Sequence, residues 1–318
     1  MRIMTLISTL LLMSACSFSQ ATDTLPTQPD SVQSFTLSHT PRFEPAIEIF
    51  GQKVDLSRYD MHERYERELT NMCYTHNATI LTLKRANRLF PVICPILKEE
   101  GMPADLIYLA CIESSLSTRA LSPAGAAGIW QFMAETARQY GLEVNTEVDE
   151  RYNVEKATRA ACRYMRQAYE KFGEWITVAA SYNGGQAGVS RKLDAQNQTS
   201  ALDLLLAEET SRYMFRIMAI KEIMSNPSLY GFILYSDQLY KPIATRKVQV
   251  SGPISNMTKF AESHGISYYH LKEFNPWLRS DKLTNKSGKT YIVEIPKVDD
   301  MYYNAPFEVY DPNWVVDK

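Results

Sequence analysis

The segment 113–131, ESSLSTRALSPAGAAGIWQ, sets one carboxylate at the end of an apolar run and follows it with hydroxyls, glycine and proline breaks, and a Trp-Gln pair. Pro103 suits a first helical turn, and Leu106, Leu109, Ala110 and Glu113 then fall at i, i+3, i+4 and i+7 on one face. Ile107, Cys111 and Ile112 make the rest of that helix apolar, so the spacing predicts burial nearly all round. A carboxyl placed there loses solvation, and the negative end of the helix dipole further disfavours its ionised form, so the Glu113 pKa is expected to rise. An acid that stays protonated near neutral pH is what general-acid cleavage of a glycosidic bond requires. Position alone leaves a second reading open, in which Glu113 turns back to solvent and is structural.

The run Ser122-Pro123-Ala124-Gly125-Ala126-Ala127-Gly128 is a tight loop of small residues, where glycine lets backbone approach a ligand closely. Ile129, Trp130 and Gln131 are expected to begin the next helix, with Trp130 as an aromatic plate and Gln131 as an amide on a sugar-binding floor. A helix hairpin with a buried Trp is the alternative. Ordinary glycosidases flank the scissile bond with two carboxylates, yet no second acid accompanies Glu113. Glu135, Asp149, Glu150 and Glu209 sit among polar neighbours that suit surface or structural roles.

The segments that must position these groups are helical. From about residue 59 to 224, long helical patterns alternate with short punctuations such as GMP, SPAG, YGL and KFGEW, without an alternating strand pattern or a fixed repeat. Past residue 227 the composition shifts. Residues 247–250 and 290–295 read as two short strands flanking helical patterns at 254–264 and 268–273, a small β-α-α-β module. The fold class is therefore mainly α with a small C-terminal β-α-α-β module, joined by a linker at 235–245 and followed by a tail at 298–318.

With 318 residues, 45% hydrophobic and 22% charged, the chain has room for one good-sized core and a smaller module. A formal net charge of -2 and the absence of a basic block exclude a phosphate-tracking surface, so no nucleic-acid partner is expected. The opening MRIMTLISTLLLMSAC has the form of an export signal, too short to span a membrane convincingly. Its Met13-Ser14-Ala15-Cys16 ending is similar to the lipobox of bacterial lipoproteins, which makes Cys16 the lipidated first residue of a membrane-anchored protein; plain cleavage near Ala15 is the alternative. Residues 17–45, rich in Ser, Thr, Pro and Gln, read as a tether. Cys73, Cys94, Cys111 and Cys162 lack ligand-like spacing and suit buried free thiols; no metal and no cofactor are expected.

Four blocks together resemble a known family. Glu113-Ser114, then Ser122-x-x-Gly125-Ala126-x-Gly128-Ile129-Trp130-Gln131, then Ala180-Ser181-Tyr182-Asn183-Gly184-Gly185, then Glu209-Thr210 with Tyr213, are similar in order and spacing to the four motifs of family 1 lytic transglycosylases. These are lysozyme-like enzymes that cut bacterial peptidoglycan. The resemblance covers about residues 90–224, and the DERYN run at 149–153 is shared with a membrane-bound subgroup. Ile129 replaces the usual Leu, and Ser181 and Gly184 stand where Ala is commoner; none of these removes a polar catalytic group.

The resemblance implies a lysozyme-like catalytic domain at 46–234 and peptidoglycan glycan strands as substrate. In that family a single Glu protonates the leaving oxygen between N-acetylmuramic acid and N-acetylglucosamine. The substrate's N-acetyl group is thought to stabilise the cationic centre, and the muramyl C6 hydroxyl closes the ring to a 1,6-anhydro end. Carried over residue by residue, Glu113 is the acid and later the base. Ser122 matches a position that orients the N-acetyl group, Gln131 one on the sugar floor, Tyr182 and Asn183 the cleft lining, and Tyr213 a hydrogen-bond partner of the acid. Ser114 and Trp130 come second. Residues 246–297 resemble a LysM module through Phe260-Ala261, Gly265-Ile266-Ser267, Leu271, Asn275-Pro276 and Ile295-Pro296, but Ser251-Gly252-Pro253-Ile254 replaces the usual start that supports the glycan groove. Trp277 suits either core or a sugar platform. The implied protein is a periplasmic monomer, lipid-anchored to the outer membrane. A hydrolytic muramidase of goose-lysozyme type and a non-catalytic wall-binding lipoprotein are the rival readings.

Overall fold

A computed structural model describes residues 40–317. The export signal, Cys16 and residues 17–39 of the tether lie outside the described residues. The first element is a hairpin that the sequence pattern does not announce: β1 (Ala46–Ile49) pairs antiparallel with β2 (Gln52–Asp55), Ile47 opposite Val54. Four-residue strands are too short to display a period. The hairpin forms because Ile47, Ile49, Val54 and Leu56 bury against the helices, while Phe50 and Gly51 turn the chain at φ of 54° and 77°, the left-handed pair that suits a two-residue hairpin loop. The Phe50 N–H donates to Asp105 Oδ2 (2.7 Å), which fastens the turn to the start of the site-bearing helix.

The helical body comprises α1 (Tyr59–Tyr74), α2 (His76–Glu99), α3 (Ile107–Ser114), α4 (Ala134–Gln139), α5 (Val154–Phe172), α6 (Trp175–Gly184), α7 (Gln186–Gln196) and α8 (Glu208–Ser225). The mainly α expectation holds. Both α3 and α6 are too apolar to be amphipathic, and both are enclosed: α3 packs on α8 and α2, and α6 on α5, α7 and α8. Each large aliphatic or aromatic side chain removed from water there contributes roughly 1.5–3 kcal/mol. Trp130, Tyr65, Tyr213 and Phe215 are among the largest fully buried side chains. The amphipathic α5 begins at Asn153, whose side chain accepts from Lys156 N, and ends at Gly173 in the left-handed region (φ 69°), a cap at each end.

One expectation fails between α3 and α4. Residues 129–131 do not begin a helix; α4 starts at Ala134. Gly128 and Gln131 lie at φ of 76° and 49°, and two left-handed residues so close together break a right-handed helical run. The segment is instead a compact loop in which Leu121 pairs with Ala127, and Ala127 with Phe132.

The C-terminal module consists of β3 (Thr245–Val250), α9 (Met257–Ser263), α10 (Tyr268–Phe274) and β4 (Tyr291–Pro296), with β3 antiparallel to β4 and Val248 opposite Val293. Trp277 is a core residue, 3% exposed and stacked on Tyr291 at 5.7 Å, so it cannot serve as a sugar platform. The stretch after Pro296, patternless as sequence, packs back onto the helices: Tyr310 N donates to Asn87 Oδ1 (2.8 Å), Trp314 Nε1 to Met224 O (2.8 Å), and Val316 N to Leu234 O (3.0 Å). Isolated aromatic anchors carry no period, so only folding reveals them. Cys73, Cys94, Cys111 and Cys162 are free thiols, three buried and Cys94 half-buried. Among the described residues no helix is long and apolar enough to cross a membrane, and no group of His, Cys, Asp and Glu could hold a metal ion.

Candidate active site

Glu113 lies one residue before the end of α3, on the face continued from Leu106, Leu109 and Ala110, which are fully buried. Beyond Ser114 the chain leaves the helix through Ser115 and Leu116, at φ of 49° and 57°. Two successive non-glycine residues in that region store backbone strain of order 1–3 kcal/mol each, and Arg85 Nη1 holds the turn by donating to Ser115 O (3.0 Å). Tyr213, fully buried on α8, donates its hydroxyl to Glu113 Oε1 at 2.7 Å. Among the described residues no other side chain hydrogen-bonds this carboxyl. Burial raises the Glu113 pKa to about 7, against the pull of the Tyr213 hydroxyl and the Arg216 charge, with the Glu209 charge adding to the rise. The group is therefore poised to give and take a proton near neutrality.

The loop 115–133 is held against α3 and α6 by its backbone. Ser114 Oγ is within hydrogen-bond distance of Ile129 O (2.9 Å) and Ala110 O (3.2 Å). Tyr182, half-buried on α6, donates to Trp130 O (2.7 Å) and meets Tyr164 edge-on at 5.2 Å. Its phenol ionises well above its ordinary range because it is buried and the Glu113 charge lies near. Tyr182 and Ser114 thus clamp the two carbonyls on either side of the Trp130 Cα. Trp130 itself points the other way. It is fully buried, and its indole N–H donates to Thr158 Oγ1 (3.0 Å), so the aromatic plate expected from the sequence is core packing; an indole with no exposed face cannot stack on a sugar.

Ser122 Oγ accepts from Ala126 N (3.0 Å), closing the small-residue turn. Gln131 Nε2 donates one of its two hydrogens to Gly128 O (2.8 Å), which leaves its Oε1 and its second N–H to meet a ligand. Asn183 Oδ1 accepts from Thr210 Oγ1 (2.8 Å) and so ties α6 to α8. Gly184 stands where alanine is commoner because Thr210 approaches it: a Cβ there would lie 2.9 Å from Thr210 Cγ2. The structure therefore sets Tyr213 on the Glu113 carboxyl and joins Ser114 and Tyr182 to the backbone of 129–130 beside it, while Ser122 braces its own turn and Asn183 links two helices.

Sequence reasoning missed Arg151. It is 8% exposed and Asp149 6%. Arg151 Nη2 donates to Asp149 Oδ2 (2.7 Å) and its Nε to Asp149 Oδ1 (2.9 Å), while Nη1 donates to both Gly125 O (2.8 Å) and Phe132 O (3.0 Å). One guanidinium thus spans both arms of the loop. Gly128 lies flush on the same segment, since a Cβ there would stand 1.9 Å from Arg151 O. Charged runs are usually solvated, and no local signal in DERYN marks these side chains as buried. The remaining acids are also committed: Glu150 pairs with Lys156, Glu135 with Arg138 at 3.4 Å on the surface, and Glu209 with Arg216 at 3.5 Å. Arg212 pairs with the buried Glu68 (2.8 Å).

Comparison with known proteins bears on the domains of the chain. Residues 92–204 match the transglycosylase SLT domain, and residues 246–299 match the soluble lytic transglycosylase C-terminal LysM-like domain. The chain is 32% identical over 242 residues to membrane-bound lytic murein transglycosylase D of Escherichia coli, in strain K12 and in strain O6:H1 alike; the match takes in 74% of this chain and 52% of the relative. The chain thus spans about half the length of the curated relatives it matches. Among solved structures, the 70 kDa soluble lytic transglycosylase from Escherichia coli aligns with a TM-score of 0.38 and 18% identity over 53% of this chain and 29% of that one.

Proposed function

We propose, since the chain carries a transglycosylase SLT domain followed by the C-terminal LysM-like domain of soluble lytic transglycosylases, that it is a peptidoglycan lytic transglycosylase with Glu113 as its single acid and base. The observation that carries this reading is the half-buried Glu113 carboxyl, raised to about 7 by desolvation and held by one donor, Tyr213 Oη, at 2.7 Å. In the protonated form it gives its proton to the oxygen leaving between N-acetylmuramic acid and N-acetylglucosamine. As the carboxylate it then takes the proton of the muramyl C6 hydroxyl, which closes onto C1 and yields a 1,6-anhydro end. Proton transfer of this kind contributes about 10²–10⁴-fold.

The pairing of Asp149, Glu150, Glu135 and Glu209 with basic residues supports a mechanism that uses no second carboxylate, the substrate's N-acetyl group assisting instead. The Gln131 amide and the loop carrying Ser122 line the sugar floor in this reading. The substrate is the glycan strand, and the module at 246–297 adds a second, weaker hold on it. Cys16 anchors the chain to a membrane through lipid, and the protein works as a monomer in the periplasm, at the outer membrane.

Digestion of purified peptidoglycan followed by product mass tests the reaction. Anhydro ends are expected, and products one water heavier with reducing muramic ends would make the protein a hydrolytic muramidase instead. An inert wild type would leave only a wall-binding role. Incorporation of labelled palmitate that is lost in Cys16→Ala tests the anchor.

A further inference from the structure

A continuous chain of contacts links the C-terminal module to the loop beside Glu113. The module pairs with the catalytic domain through main chain: Asp149 N donates to Trp277 O (2.9 Å), Arg279 N to Glu147 O (2.8 Å), and Val148 faces Leu278 between them. Side chains flank this pairing. Glu147 Oε2 accepts from Thr284 N (2.7 Å) and Thr284 Oγ1 (2.8 Å). Glu143 accepts from Lys289 Nζ (2.9 Å) and Tyr291 Oη (3.0 Å). The Arg279 guanidinium sits 4.4 Å over the Tyr152 ring. The apolar core of the module continues across the boundary, so that Ala127, Val148 and Tyr152 bury in one cluster with Leu271, Trp277 and Leu278.

These contacts converge on the catalytic loop. Asp149 carries one rung of the pairing on its N–H, and its carboxylate orients Arg151, whose Nη1 spans Gly125 O and Phe132 O. Ala127, on the same loop, reaches into the module's own core. The loop has no helix or sheet of its own between α3 and α4 and depends on such outside partners. A module that served only to hold substrate would work from a mobile linker without a docked face; this one is fixed to the segment that braces the loop.

We propose that the C-terminal module is a positioning element of the catalytic loop: docked on residues 143–155, it fixes Asp149 and thereby the Arg151 fork that holds residues 122–132 beside Glu113. The kinetic part of this proposal rests on Glu113 being the acid; the structural part does not.

The test uses two full-length variants with substitutions in the module alone. Arg279→Ala with Lys289→Ala removes the cation over Tyr152 and the partner of Glu143. Leu278→Asp sets a carboxylate in the fully buried interface position and undocks the module whether or not the module stays folded. Two quantities are read: hydrogen exchange of the amides in 122–132, against those of α5 and α6 as internal standards, and kcat and KM on a soluble tetrasaccharide of alternating N-acetylglucosamine and N-acetylmuramic acid.

Exchange in the loop is expected to rise by about 10-fold or more with α5 and α6 unchanged. On the tetrasaccharide, kcat should fall about 10- to 100-fold with KM within about 2-fold. Lys289→Arg should keep wild-type exchange. Wild-type loop exchange in both variants, raised exchange with wild-type kcat, or a rise in KM alone would each overturn the proposal. A wild type that turns over neither the tetrasaccharide nor purified peptidoglycan would refute the assignment of the acid, and loop exchange by itself would then decide whether the module braces the loop.

Discussion

Replacing Glu113 by glutamine separates two consequences of its burial. The amide introduced by Glu113→Gln would keep an oxygen for the Tyr213 hydroxyl to donate to, but it would have no acidic proton to give and no charge to desolvate. The wild-type carboxyl moves from 4.5 to about 7, first through desolvation. At about 1.4 kcal/mol per pH unit, keeping the ionised form in the folded state costs roughly 3 kcal/mol. The folded protein binds this proton more tightly than the unfolded chain. Wild-type stability is therefore fullest below pH 4.5, falls as pH rises from 4.5 to about 7, and stays at the lower level above that.

In Glu113→Gln this contribution is absent, so the variant is expected to gain on the wild type by roughly 3 kcal/mol between about pH 4 and pH 8 while losing turnover at every pH. Urea unfolding of both full chains at a series of pH values measures the difference, in which all other titrating groups cancel. A difference that does not change with pH would refute the desolvation argument. Residual wild-type turnover in the variant would refute the role.

Tyr213→Phe removes a hydroxyl that donates to Glu113 and holds the carboxyl below where burial alone would put it; the alkaline limb of the kcat/KM profile should move to higher pH, with a stability loss of about 0.5–1.5 kcal/mol. Gly128→Ala places a Cβ 1.9 Å from Arg151 O at φ 76°, so thermal unfolding should register a loss of about 2–5 kcal/mol and the loop amides should exchange faster. Trp130→Phe gives up the hydrogen bond to Thr158 and leaves a void in the core; the expected loss is about 1–3 kcal/mol in denaturant titration with glycan KM unchanged, whereas a raised KM would restore a sugar-facing role.

The helical phase that sets Glu113 on an apolar face was legible in the sequence, because a 3.6-residue period is written in the residues themselves and desolvation follows from it. The division into a helical body and a β-α-α-β module was legible for the same reason, the period changing from helical to alternating and back. Motif order carried Tyr213 to the acid across 100 positions of chain, a link that no local pattern contains.

Other features were decided only by tertiary structure. The loop at 128–131 takes left-handed conformations because Gly128 must pass Arg151 O and Gln131 turns the chain at φ 49°, so the helix expected at 129 does not form there. Trp130 and Trp277 face cores, since which side of a turn an aromatic takes is settled by packing on distant helices and strands. Arg151 and Asp149 are buried, against the ordinary behaviour of charges, because each satisfies the other and the loop carbonyls complete the shell. The sequence by itself determined that Glu113 continues the apolar face of a helix and is therefore desolvated. Where its neighbours point, and that the C-terminal module docks beside them, arises from contacts between separate segments, from Ser114 with Ile129 to Asp149 with Trp277, which only the folded chain brings together.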